Sequence, residues 1–139
     1  MPDTSFQAGK NPNRSVILYG NADTNSAWPA LLSGSPVQVT ENQVKAGAHL
    51  FAGTNLACLF LRPRAGSATA CVGVVGGTGL AGMRLTSRLP IFVSGLAWPD
   101  CTVLNTSVLT EGETGVLMAG FFGNNWSIGQ GEFAYSSAK

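Results

Sequence analysis

The chain has 139 residues and a net charge of +1, with eight Lys and Arg against seven Asp and Glu, a length that fits one domain able to bury a core without disulfide or metal staples. Charged residues make up 11% and hydrophobic residues 45%, against a usual charged share of about 25%, so a surface this poor in charge is expected to be covered by a partner domain or a second copy. The basic residues are scattered, with only Arg62, Arg64, Arg84 and Arg88 in loose pairs, which excludes the basic stripe with interleaved aromatics of a nucleic-acid binder.

Residues 1–14 are polar and carry Pro2 and Pro12. They read as an N-terminal arm, followed by a single α/β domain over residues 15–139. The opening has no apolar core segment and so does not read as a signal peptide; no apolar run is long enough to span a membrane. Ser15 to Tyr19 is a continuous β-rich run, the pattern of a strand buried on both faces as in a parallel sheet. Gly20-Asn21-Ala22-Asp23-Thr24-Asn25 suits a turn that becomes a helix N-cap. Ala27, Trp28, Leu31 and Leu32 then recur at helical spacing, with Pro29 in the first turn, and Ser33-Gly34-Ser35-Pro36 stops the helix.

Residues 37–55 set Val37, Val39 and Val44 among polar residues, with Gly47 and Gly53 as punctuation; short strands and a hairpin are expected there. Two strong apolar runs follow, Leu56 to Leu61 and Cys71 to Val75. Their short connection makes them antiparallel neighbours. The second run leads into Gly76-Gly77-Thr78-Gly79-Leu80-Ala81-Gly82 and then a helix face of Leu80, Met83, Leu85 and Leu89, which Pro90 interrupts. Thr102 to Leu104 reads as a short strand, residues 115–122 as an apolar segment, and Glu132 to Tyr135 as a last, edge-like strand.

The sharpest local signal is Gly77 to Gly82, which spells G-x-G-x-x-G between a strand and a helix. Glycines there let a backbone approach a pyrophosphate, and a helix N-terminus offers free N–H groups. A dinucleotide site also needs an acid at the end of the next strand, whereas Asp100 precedes the strand at 102–104. The competing reading is a tight turn built for close packing, with a small anion at the helix start as an intermediate case. The turn Asn21 to Asn25 occupies the equivalent place after its own strand. In an open α/β sheet such loops gather where ligands bind, so Asn21, Asp23, Thr24 and Asn25 are expected to face Gly76, Gly77, Thr78 and Gly79 across a shallow crevice. Helix capping by the same side chains is the favoured alternative.

Catalytic groups are sparse. His49 is the one histidine, and a Ser–His–Asp triad would need it as base, yet no Gly-x-Ser-x-Gly elbow occurs. Cys58, Cys71 and Cys101 lie in or beside apolar runs and read as buried free thiols, inert as nucleophiles. No Cys/His cluster suggests a metal, and no cofactor is expected. Glu111 and Glu113 flank a turn glycine and read as solvated acids. Trp98-Pro99-Asp100 and Asn124-Asn125-Trp126 have the groups of a sugar-binding surface, but packing is the favoured role.

Longer stretches carry a family resemblance: Val16 to Asn25, Ala57 to Arg64, Val72 to Gly79, Arg88 to Gly95 and Gly120 to Ser127. Together these resemble the C-terminal region of large bacterial prolyl-oligopeptidase-like serine hydrolases, over about Pro2 to Tyr135. The resemblance implies that the catalytic serine, acid and histidine belong to an upstream α/β-hydrolase domain, so no catalytic residue carries over to this chain. It further implies a strand–helix unit ahead of this segment, secretion of the full-length relatives, and a partner that completes the sheet, either a second copy or a hydrolase domain. The expected fold is an open mixed β-sheet flanked by a few helices, flavodoxin- or Rossmann-like and short of part of its sheet. The expected role is a non-catalytic, self-associating accessory or interaction domain; the alternative is a small-ligand, nucleotide or phosphate module built on the glycine loop.

Overall fold

The computed structural model describes residues 1–137. Nine strands form in chain order: β1 (Val16–Tyr19), β2 (Val37–Thr40), β3 (Gln43–Ala46), β4 (His49–Ala52), β5 (Leu56–Pro63), β6 (Cys71–Gly77), β7 (Cys101–Asn105), β8 (Val116–Phe121) and β9 (Glu132–Tyr135). Three short helices accompany them: α1 (Trp28–Leu32), α2 (Leu80–Thr86) and α3 (Val108–Glu111). Six strands make one mixed sheet in the order β1-β6-β5-β7-β8-β9, and β2-β3-β4 make a second, antiparallel sheet. The architecture is an open mixed sheet with few helices, and sheet dominates it.

The expected antiparallel pairing of the two strongest apolar runs holds, with Leu59 of β5 opposite Val75 of β6. The hairpin region is a three-stranded meander, and β9 is an edge strand. Only β1 and β6 run parallel; the other neighbours in the large sheet are antiparallel. β1 is also not buried on both faces. It ends the sheet, and only Leu18 of its four residues is fully buried.

Alternation along the strands sorts side chains onto two faces. On one face Leu18, Val72, Val74, Cys58, Phe60, Cys101, Val103 and Met118 pack against Val37, Val39, Val44 and Ala46 of the small sheet and against Trp28 and Leu32 of α1. This is the main core, a two-layer arrangement. On the other face α2 covers one end, where Ala57, Leu85 and Leu104 cluster with Leu89, Trp98, Val108 and Val116 around them.

The approach of α2 to β5 depends on glycine. A Cβ on Gly82 would lie 1.9 Å from the Leu56 carbonyl oxygen. That contact fixes the buried side of α2 at Gly82, Leu85 and Thr86, which are three and four residues apart. Leu80, expected on the buried face, is therefore turned out to solvent.

The arm at residues 1–14 folds back on the domain through Arg64, in the β5–β6 connection. The Arg64 guanidinium is buried and donates to the carbonyl oxygens of Ala8 at 2.7 Å, Asn11 at 3.0 Å, and Arg14. It also lies over the Phe6 ring, 5.9 Å from the centroid, in a cation–π contact. Asp3 accepts from the backbone N–H and hydroxyl of Ser26, each at 2.7 Å.

Gly82→Ala is expected to lower the unfolding free energy by about 3 kcal/mol or more, because backbone rather than a flexible side chain blocks the methyl group. Urea denaturation followed by far-ultraviolet circular dichroism checks this; an unchanged midpoint would contradict the packing described.

Candidate functional site

The two loops singled out in the sequence do meet. The Asn21 amide donates to the Gly77 carbonyl oxygen at 2.9 Å. The Asn21 Oδ1 accepts from the backbone N–H of Asp23 at 3.0 Å and of Thr24 at 3.1 Å, and from the Thr24 hydroxyl at 3.1 Å. Asn21 is thus an Asx-turn residue that also rivets its loop to the end of β6. The Asn25 amide donates to the Tyr19 carbonyl oxygen at 3.0 Å, and its Oδ1 accepts from Ala27 N–H at 3.0 Å. Asp23 is exposed and accepts from Glu41 N–H at 2.7 Å. None of these side chains caps α1 directly: its N-cap residue is Ala27, without a side-chain cap.

The glycine loop is filled by the chain itself. The Thr78 hydroxyl accepts from Leu56 N–H at 3.2 Å, and Thr78 N–H donates to the Leu56 carbonyl oxygen at 3.0 Å. A Cβ on Gly77 would lie 2.5 Å from the Met83 nitrogen, one on Gly79 2.6 Å from the Thr54 carbonyl oxygen, and one on Gly76 3.0 Å from the Gly20 carbonyl oxygen. The space these glycines leave is taken by neighbouring backbone. Their role in this arrangement is close packing of β6, α2 and the β4–β5 turn.

The remaining chemistry-bearing residues are dispersed. The His49 ring is exposed and stacks on Tyr135, with centroids 4.1 Å apart. His49 makes no side-chain hydrogen bond to a serine, cysteine or acid among the described residues. Burial raises the Tyr135 phenol. Cys58 and Cys101 are buried, whereas Cys71 is only half-buried, contrary to expectation. Hydrogen bonding to the Cys101 thiol, and then burial, pushes the Cys58 thiol well above its usual range. Trp126 packs on the main core and Trp98 on the α2 cluster, so the two tryptophan motifs lie on opposite faces of the sheet. Glu111 and Glu113 are exposed. No group of three or more His, Cys, Asp or Glu could hold a metal among the described residues. No helix among them is long and apolar enough to cross a membrane.

The structure adds two surfaces that sequence reasoning did not single out. The first is an apolar area on the α2 side of the sheet. Ile17 and Leu61 stand there beside Phe92 of the 87–100 loop, with Tyr19 two residues along the same face of β1, each between 41% and 66% exposed. Between them a recess of about 200 Å³ runs over Gly73, with Ile17, Leu61, Ile91 and Phe92 around it. The second is a cleft of about 700 Å³ between the arm and β1. The alternation of Ile17 and Tyr19 was visible as part of an apolar run, but nothing in that run says that the strand has one neighbour rather than two.

Comparison with known proteins finds no matching family, no similar curated protein and no similar solved structure.

Asn21→Ala strands the Gly77 carbonyl and two loop N–H groups, and should cost about 2–4 kcal/mol of stability, read as a lower denaturant midpoint with an unchanged slope. Titration of the native chain with a thiol-reactive disulfide should modify Cys71 rapidly, and Cys58 and Cys101 only after unfolding. Rapid reaction of all three thiols in the native state would contradict the burial described.

Proposed function

We propose that the chain is a non-catalytic interaction domain that associates with a second copy through the apolar area of Ile17, Tyr19, Leu61 and Phe92. The observation that carries this reading is the exposure of those four side chains on one side of the large sheet. Large apolar residues grouped in this way mark contact surfaces on soluble proteins. A second copy is the favoured occupant on grounds of charge. The four residues include no ionisable group with a charge at neutral pH, and the net charge is only +1, so two copies meet face to face without repelling one another. A contact of one patch with its own copy closes by two-fold symmetry. The recess over Gly73 is sized for a bulky side chain from the other copy, the kind of anchor that dominates interface energies.

The resemblance to the C-terminal region of prolyl-oligopeptidase-like hydrolases agrees with an accessory role, since in that family the catalytic groups belong to another domain. A sheet short of a strand at β1 also fits that reading. The alternative of a nucleotide or phosphate module on Gly76 to Gly79 has less support, because Thr54, Met83 and Gly20 backbone atoms stand where a ligand would approach.

Sedimentation velocity from about 1 to 200 μM should show a monomer–dimer equilibrium. Leu61→Glu puts a charge into the contact at a position already open to solvent, and should weaken dimerisation at least about tenfold while the monomer stays folded. A monomer at every concentration, or a dimer indifferent to Leu61→Glu, would overturn the proposal.

A further inference from the structure

The outer edge of β1 has a definite chemistry. Gly20 N–H donates to the Val75 carbonyl oxygen, within a parallel register that sets Tyr19 opposite Val75. In a parallel pair alternate residues direct both backbone groups to the neighbouring strand, so Val16, Leu18 and Gly20 face β6, and Ile17 and Tyr19 face away. Of the outward groups, the Tyr19 carbonyl oxygen is taken by the Asn25 amide. Ile17 N–H, the Ile17 carbonyl oxygen and Tyr19 N–H have no partner among the described residues. They open into the 700 Å³ cleft walled on its far side by the arm.

The cleft is also positively charged. Lys10, Arg14 and Arg64 line it against a single carboxylate, Asp3. The Arg64 partners are neutral carbonyls, so its charge is not cancelled. Asp3 is occupied by Ser26, whose backbone N–H and then hydroxyl hold its carboxyl below the usual range.

We infer that this cleft binds an extended peptide segment of another protein, with acidic and apolar residues in alternation, which adds to the sheet as a strand beside β1. The unpaired Ile17 and Tyr19 groups supply main-chain hydrogen bonds, as in other cases of strand addition. Lys10 and Arg14 select acidic side chains, and the exposed side of β1 takes the apolar ones. A second copy of this chain is a poorer occupant. Its own β1 is walled by its arm, and pairing its β9 with this β1 would be a head-to-tail contact that propagates without closing. This inference rests on the reading of the chain as an interaction domain; it shares the exposed side of β1 with self-association but depends on the strand-edge backbone groups and on Lys10 and Arg14, and the Leu61→Glu variant separates the two.

The test is fluorescence anisotropy with a labelled eight-residue peptide alternating valine and glutamate. Two controls accompany it: the same peptide with lysine in place of glutamate, and one with every second backbone nitrogen methylated. The full chain and its Leu61→Glu variant are both titrated. Saturable binding below about 1 mM is expected for the glutamate peptide. Each control should bind at least about tenfold more weakly. Lys10→Glu with Arg14→Glu should have a similar effect, since both side chains are exposed. Ile17→Pro removes an outward N–H without touching the β6 ladder and should also abolish binding; if that variant does not fold, the charge reversals still decide. Equal binding of the control peptides, or no binding at 1 mM, would overturn the inference. Peptide failure with Leu61-dependent dimerisation intact would remove this inference alone.

Discussion

β1 pairs with a strand on one side only, β6, and the rest of the molecule is arranged around that fact. The strand reaches its place because the turn from Asn21 to Asn25 closes immediately behind it, with Asn21 bonded to Gly77 at the end of β6 and Asn25 bonded back to Tyr19. The same turn sends the chain into α1 and the small sheet, which cover Leu18 and its neighbours on one face. The opposite face receives the short α2 and α3 and the 87–100 loop. A sheet of six strands with one face half-covered and one edge open leaves apolar side chains and backbone groups in reach of other molecules.

The polar residues of the interior serve this arrangement. Asn21, Asn25 and Thr78 are buried and spend their hydrogen bonds on backbone groups that no strand or helix satisfies. Arg64 does the same for three arm carbonyls, a role suited to a guanidinium with several fixed donors. The sheet face beside the 87–100 loop is left apolar, and the cleft at the β1 edge is left basic.

Much of the fold was legible in the sequence because local rules were strong there. The seven-residue connection and matched apolar runs of β5 and β6 required a hairpin-like pairing, and Ser33 to Pro36 ended α1 where expected, whereas α2 stops at Thr86, ahead of Leu89 and Pro90. Strand order was not legible. The run from Ser15 to Tyr19 has the composition of an interior strand, and only the long-range register places it at an edge. The glycine loop shows the same limit from another side. The letters G-x-G-x-x-G are shared by a phosphate cradle and by a turn packed on its own protein. What distinguishes them is Thr54 and Leu56, which come from a segment more than twenty residues earlier in the chain. Arg64 looked like one of several scattered cations; its role depends on arm carbonyls about fifty residues away.

The central claim is that the β1 side of the large sheet is the part of this molecule that meets another chain. Hydroxyl-radical footprinting read by mass spectrometry tests it residue by residue across a concentration series. Ile17, Tyr19, Leu61 and Phe92 should lose reactivity as concentration rises, while Leu80 and Leu109, equally open to solvent but outside that area, should not change. Uniform labelling of all six residues at every concentration would contradict the account.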